Sequence, residues 1–160
     1  MASDLFIKFD KINGESRDRK MINYCDVLSW SWGIEQTASF GRTAGRGTGR
    51  AEFRDFAVTK NIDSASTRIA NACATGVHMA KIEFVARKAG GQQMDYLKYV
   101  FEGCIITGYE IGGNGGSPIP IETISVNYAK VKMSYFTQDG KGMGAAAGDF
   151  SYDLAANTSA

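Results

Sequence analysis

A chain of 160 residues is most simply one domain, long enough to bury roughly two-thirds of its unfolded surface without a disulfide or metal staple. Apolar residues at 44% and charged residues at 22% are ordinary for a globular protein, while 19 glycines, against a usual share of roughly 7%, point to many turns and a mainly β fold. A formal net charge of +1, from 18 Lys and Arg against 17 Asp and Glu, supplies no overall field toward nucleic acid or an acidic membrane, so any electrostatic partner is met locally.

The amino terminus, MASDLFIKFD, has no basic region followed by a sustained apolar run, and no stretch is long and apolar enough to span a bilayer. The expectation is a protein with no signal peptide and no membrane insertion. Cys25, Cys73 and Cys104 are widely spaced and odd in number, with no CxxC pair and only His78 as a nitrogen ligand. They read as reduced thiols of a protein made in the cytoplasm, with no metal site and no cofactor.

Along the chain, period-two alternation begins with Leu5, Ile7 and Phe9 and returns at Leu28, Trp30, Trp32 and Ile34, predicting half-buried strands. Between them, residues 12–16 read as a turn and the charged run 17–20 as an exposed connection. Residues 38–50, ASFGRTAGRGTGR, form a long glycine-rich loop with Arg42, Arg46 and Arg50 at every fourth place. A loop this poor in apolar side chains does not pack on itself, and ordering it costs roughly 1–2 kcal/mol per residue, so an outside partner is expected. A third strand is predicted over 51–59 through Phe53, Phe56 and Val58.

One helix is predicted over 63–76, with Asp63 or Ser64 as cap, Ala65, Ile69, Ala72 and Cys73 on one face, and Gly76 as its end,. It is short and weakly amphipathic, suited to covering one end of a sheet structure. Alternation resumes at Ile82, Phe84 and Ala86 against Lys81, Glu83 and Arg87. The chain turns over 88–93 into strands at 96–101 and 104–111, with a bulge or bend at Glu102-Gly103. After a glycine-rich loop ending in Pro118 and Pro120, a long strand over 122–136 keeps Ile124, Val126 and Tyr128 in one phase and Val131, Met133 and Tyr135 in the other. That change near Ala129 requires a bulge or corner, which favours a barrel-like double sheet. A flexible tail is expected over about 155–160.

Catalysis finds no support in these residues. No Ser-His-Asp, Cys-His or histidine-rich set can be built around His78, and Asp10, Glu83 and Glu102 alternate with apolar positions in the manner of a solvated face. A glycosidase-like carboxylate pair is the weak alternative. Trp30 and Trp32 share phase with Leu28 and Ile34 and read as core.

The phrases LFIKFDKINGES, CDVLSWSWGIEQ, TKNIDSASTRIANACATGVH, ARKAGGQQMDYLKY and ETISVNYAKVKMSYF, in order over nearly the whole chain, resemble haemolysin-coregulated protein (Hcp), the tube subunit of bacterial type VI secretion systems. The resemblance implies a two-sheet β-barrel domain over 1–160 with one short α-helix and a long extended loop. It implies a homo-hexamer, rings stacked into a hollow tube within a contractile sheath, a spike protein at the tip and effector proteins in the lumen. The protein would then leave the cell through that apparatus.

The resemblance also distributes roles. The extended loop occupies the place from which family members reach an adjacent ring, making Ser39, Phe40, Arg42, Thr43, Arg46, Thr48 and Arg50 the candidate stacking residues. Gly90 and Gly91, in the family's Lys-Ala-Gly-Gly phrase, are the candidate opposite ring face, or simply a tight hairpin. Lys130 and Lys132 are candidate lumen wall, or simply solvated. The alternatives are an effector-binding chaperone ring without a main tube role and, through the Gly-Arg loop, a nucleic-acid-binding barrel. The last is disfavoured because the loop lacks a P-loop ending and offers only Phe40 for stacking.

Overall fold

The structure, a computed structural model, describes residues 3–39, 47–90, 93–138 and 144–159. In chain order these form β1 (Ser3–Phe9), β2 (Cys25–Val27), β3 (Ser29–Ser31), β4 (Ile34–Glu35), β5 (Ala38–Ser39), β6 (Gly47–Thr48), β7 (Glu52–Phe53), β8 (Phe56–Asn61), α1 (Ser66–Thr75), β9 (His78–Lys88), β10 (Met94–Gly112), β11 (Ile121–Asn127), β12 (Lys130–Gln138), β13 (Gly144–Asp153) and β14 (Thr158–Ser159).

The two strands predicted over 96–111 are one, β10, and it organises the fold. Its first half lies between β9 and β12, and its second half pairs with β11, all antiparallel. One layer therefore runs β2-β1-β9-β10-β12-β13-β14 and the other β10-β11-β8-β3. Aromatic rings from the two layers meet in the core: Phe56 of β8 stands 5.2 Å from Phe84 of β9 and 4.8 Å from Phe101 of β10. Burying such rings against one another is worth more than their area alone. The mainly β, two-sheet expectation holds. Among the described residues the barrel is not closed by an unbroken ladder, because β2 pairs only with β1, β3 pairs only with β8, and Leu28 forms the seam between them, donating its N–H to the Thr59 carbonyl at 2.7 Å.

That seam corrects the sequence reading. Leu28 and Ile34, expected in the core with the tryptophans, are 53% and 41% exposed. The strand is broken at Leu28 and again at 32–33, so the buried phase passes from Cys25 and Val27 to the half-buried Trp30 and Trp32. The strand predicted over 51–59 is likewise interrupted at Arg54 and Asp55.

The corner expected near Ala129 is present. Leu97 to Glu102 face β12 and Ile105 to Gly112 face β11, and at the junction the Ala129 N–H points to the carbonyls of Glu102 and Gly103 at 3.0 and 3.1 Å. Gly103 turns the corner with φ +62°, where a Cβ would lie 3.0 Å from the Ala129 Cβ. The left-handed backbone and the close approach act together, so Gly103→Ala is expected to cost about 1–2 kcal/mol. Urea denaturation midpoints measure it.

Helix α1 starts at Ser66 rather than Asp63. Asp63 accepts the Ala65 N–H through Oδ1 at 2.9 Å, and the Ser66 hydroxyl accepts the Asp63 N–H at 2.9 Å, fixing the entry turn. Gly76, with φ +64°, ends the helix by donating to the carbonyls of Ala72 and Cys73, a left-handed close. Ala65, Ile69 and Ala72 are buried and Cys73 is half-buried.

Residues 10–24 fold over the outer face of β1 and β9, where Met21 and Tyr24 cover Phe6 and Val85 in a small second core. Arg87, expected on the solvated side of its strand, is only 1% exposed within this cover. At the other end of the chain, residues 154–157 turn and β14 returns to pair with β13, Tyr152 opposite Ser159.

Candidate functional site

The extended loop leaves the barrel from a packed root. Trp32 stands 5.4 Å from Tyr99, 6.4 Å from Phe53 and 6.3 Å from Phe150 between ring centroids. Its indole N–H donates to the Tyr128 hydroxyl, which donates to the Arg54 carbonyl at 2.8 Å. Burial pushes the Tyr128 hydroxyl up to about 12, so it stays a donor at neutral pH.

From this root the chain runs out as a two-stranded ribbon. Ile34 faces Phe53, Glu35 faces Glu52, Ala38 faces Thr48 and Ser39 faces Gly47. Like charges directly opposite repel, and Arg54 relieves the Glu35/Glu52 pair by an ion pair to Glu35. Gly49 donates to the Thr37 carbonyl at 3.0 Å, where a Cβ on Gly49 would stand 3.3 Å from the Thr37 Cβ.

Of the candidate stacking residues, Ser39 and Thr48 thus lie in the ribbon backbone, whereas Phe40, Arg42, Thr43 and Arg46 lie outside the described residues. Arg50 is held by its own chain: its Nη2 donates to the Leu154 carbonyl at 3.2 Å.

Gly90 is exposed with φ +132°, and nothing lies within 4 Å of where a Cβ would stand. Its partner Gly91 lies outside the described residues. Lys130 and Lys132 project from the outer face of β12, 51% and 53% exposed, toward Asp153 at 3.7 Å and Asp149 at 3.8 Å. Lys130 belongs to a charge-alternating row across four strands: Lys81 opposite Glu102, Glu102 opposite Lys130, and Lys130 opposite Asp153, whereas Lys132 stands opposite Val100 and Ser151. On the β3-β8-β11 side the outward face is instead small and hydroxylic, with Ser29 opposite Thr59 and Thr59 opposite Thr123.

Sequence reasoning missed a buried ionic cluster. The Lys60 Nζ lies 2.6 Å from Glu122 Oε1 and 2.9 Å from Asp63 Oδ1, with Lys60 and Glu122 wholly buried. Ser66 donates to Glu122 Oε1 at 2.8 Å and Tyr109 to Oε2 at 2.6 Å. Burial alone would lower the Lys60 pKa, but its bonds to Glu122 and Asp63 outweigh this and hold it above the ordinary value. The signal was present in the sequence: Lys60 continues the phase of Phe56 and Val58, and Glu122 that of Ile124 and Val126. Every ion here is paired, so the cluster bolts the helix entry to the sheet and leaves no group poised for proton transfer.

Burial pushes the thiols of Cys25 and Cys104 up to about 12, so both stay protonated and inert at neutral pH. Among the described residues no group of three His, Cys, Asp or Glu side chains could hold a metal ion, and no helix is long and apolar enough to cross a membrane.

Comparison with known proteins decides the family. Residues 6–135 match the family described as type VI secretion system effector, Hcp. The chain belongs to the Hcp family. It is 35% identical over 143 residues to protein hcp1 of Pseudomonas aeruginosa, covering 89% of this chain and 88% of that protein. It superposes on the solved structure of a type six secretion system protein with a TM-score of 0.93, at 31% identity, over 99% of this Hcp and 100% of that chain. Hcp1 from Salmonella typhimurium superposes over the full length of both chains with a TM-score of 0.81 at 32% identity. The barrel, helix and ribbon described above are therefore those of a type VI secretion protein.

Proposed function

We propose that this Hcp is a structural, non-enzymatic subunit of the type VI inner tube: copies join side by side into hexameric rings, rings stack head to tail, and effector proteins travel in the lumen. The observation that carries this reading is the ribbon formed by residues 34–39 and 47–53. Among the described residues its outer strands, β5 and β6, pair only with each other, and a lone two-stranded ribbon is marginal in water. A ribbon fixed at its root, with no third strand among the described residues, is suited to docking on another copy.

Contact between unlike faces is what allows an open-ended stack. Single exposed arginine pairs are worth about 0–1 kcal/mol, so one ribbon binds weakly while all those of a ring act together. Stacking accordingly weakens as salt is raised. In this reading the tube sits within the contractile sheath and ends on the spike protein, and Gly90 and Gly91 offer the opposite ring face.

Replacing Arg42, Arg46 and Arg50 together with alanine is expected to abolish stacks and leave rings intact, measured by native mass spectrometry and electron microscopy. Unchanged stacking would reject the arginine role, and a strictly monomeric wild type at high concentration would reject the tube. The exposed Lys130 and Lys132 are the proposed lumen wall. Co-purification of effectors is expected to fall for Lys130→Glu with Lys132→Glu, and equal recovery would remove those residues from the lumen.

A further inference from the structure

The ribbon's root is not built from the ribbon's own neighbourhood alone. Strand β13, from the far end of the chain, brings Phe150 and Tyr152 against it. Tyr152 lies 4.7 Å from Phe53 of β7, and Phe150 lies 6.3 Å from Trp32 and stacks 6.4 Å from Tyr152. A polar contact joins the same two regions, the Arg50 guanidinium to the Leu154 carbonyl at 3.2 Å.

The turn that presents this carbonyl is itself fixed. The Leu154 N–H donates to the Ala129 carbonyl at 2.8 Å, and the Ala156 N–H to Asp153 Oδ1 at 3.0 Å. Tyr152 donates its hydroxyl proton to Asn157 Oδ1 at 2.8 Å, and β14 closes the turn by pairing with Tyr152 and Asp153. By contrast β7 pairs with β4 over only two residues, too few to fix the direction of a projecting ribbon. The aromatic and guanidinium contacts supply the missing constraint.

We infer that Phe150, Tyr152 and the Leu154 carbonyl are positioning residues for the ribbon: the carboxyl-terminal strand sets the direction in which residues 34–39 and 47–53 leave the barrel, and ring-to-ring contact depends on it. The consequence for stacking rests on the tube reading above, whereas the clasp itself does not. Two readouts keep them apart.

The first is hydrogen exchange of residues 49–54 in purified wild type, Tyr152→Ala and Tyr152→Phe. The alanine variant, which has no ring to pack on Phe53, is expected to exchange there about tenfold faster, and the phenylalanine variant, which keeps the ring and loses only the Asn157 bond, to stay within about twofold of wild type,. Equal exchange in wild type and Tyr152→Ala overturns the clasp whether or not rings stack. The second readout is the ratio of stacks to rings by electron microscopy. Tyr152→Ala is expected to keep rings and lose stacks, with Tyr152→Phe restoring them.

Intact stacking in Tyr152→Ala overturns the positioning role, and loss of rings does so too, by placing β13 in the ring contact instead. A wild type that forms no stacks overturns the tube reading and the stacking role, leaving exchange to judge the clasp. Should Tyr152→Ala fail to fold, Phe53→Leu, which removes the same aromatic pairing from the ribbon side, takes both measurements with the same deciding outcomes.

Discussion

Lys60→Met is expected to destabilise the protein by about 3–5 kcal/mol, because it leaves the wholly buried Glu122 carboxylate without its cation,. Ser66 and Tyr109 would still donate to Glu122, but two neutral hydrogen bonds do not replace a charge at 2.6 Å,. The double replacement Lys60→Met with Glu122→Leu removes the wholly buried pair and leaves only Asp63, 11% exposed, without its cation, so it is expected to recover part of the loss, since a buried pair and a well-packed apolar pair are of similar stability. Chemical denaturation of the single and double variants measures the coupling. A single variant within about 1 kcal/mol of wild type would show that the cluster is hydrated and not a bolt. The sign of the pH effect follows from Lys60, whose pKa is held above its ordinary value of 10.5. Its contribution is complete below that value and is lost as pH rises through the higher folded value. Wild type therefore loses stability in strong alkali, and the double variant loses less.

The elements that were legible in the sequence are those whose signal is local. Ile7 and Phe9, Ile82 and Phe84, and Ile124 and Val126 alternate and are buried, because a strand with one face on a core must alternate. The phase change at Ala129 and the glycine at 103 announced a corner for the same reason, and Gly76 announced the helix end. The errors arose where tertiary contacts override the pattern. Leu28 sits in phase with Trp30 yet lies at the seam, where the strand changes partner from β1 to β8. The long strand β10 was split in two because the bend at Gly103 looks, in one dimension, like an end.

The candidate site was legible only in outline. The loop's composition set it apart as a segment unable to pack on itself, and the resemblance supplied the proposal that it docks on an adjacent ring. That Arg50 differs from Arg42 and Arg46 in sequence setting hardly at all, yet is tied to the Leu154 carbonyl, depends on a contact between distant segments. The clasp of Phe150 and Tyr152 is of the same kind. Neither the Arg50 bond nor the packing of Phe53 on Tyr152 leaves a periodic trace, since each joins residues whose spacing in the chain carries no structural period.

Arg87→Met is expected to cost about 2 kcal/mol and to loosen residues 13–24. The guanidinium joins three segments: Nη1 lies 2.8 Å from Asp18 of the covering loop, Nε lies 3.1 Å from Asp95 of β10, and the charge stands 5.1 Å from the ring centroid of Phe6 on β1. Removing a buried partner ordinarily costs about 3–5 kcal/mol. Here the carboxylates are 21% and 45% exposed, so water takes up part of the loss. Nη2 is buried and has no partner among the described residues, a standing cost that the methionine does not carry. Arg87→Lys is expected to recover only part of the stability, because an ammonium cannot present the fork that reaches both carboxylates.

Acid separates the charge of Arg87 from its packing. The Lys20 N–H and then Arg87 hold the Asp18 carboxyl below its ordinary value of 3.8. That stabilisation is present above 3.8 and is lost as pH falls through the lowered folded value,. Wild type therefore gives up its advantage over Arg87→Met in acid, and the difference in denaturation midpoint is expected to narrow below about pH 3.8. Protection of residues 13–24 from hydrogen exchange, taken relative to the intrinsic exchange rate at each pH, should fall in wild type over the same range. A gap that stays constant from neutral pH into strong acid would mean that Arg87 acts through its stem against Phe6 alone, with no contribution from its charge.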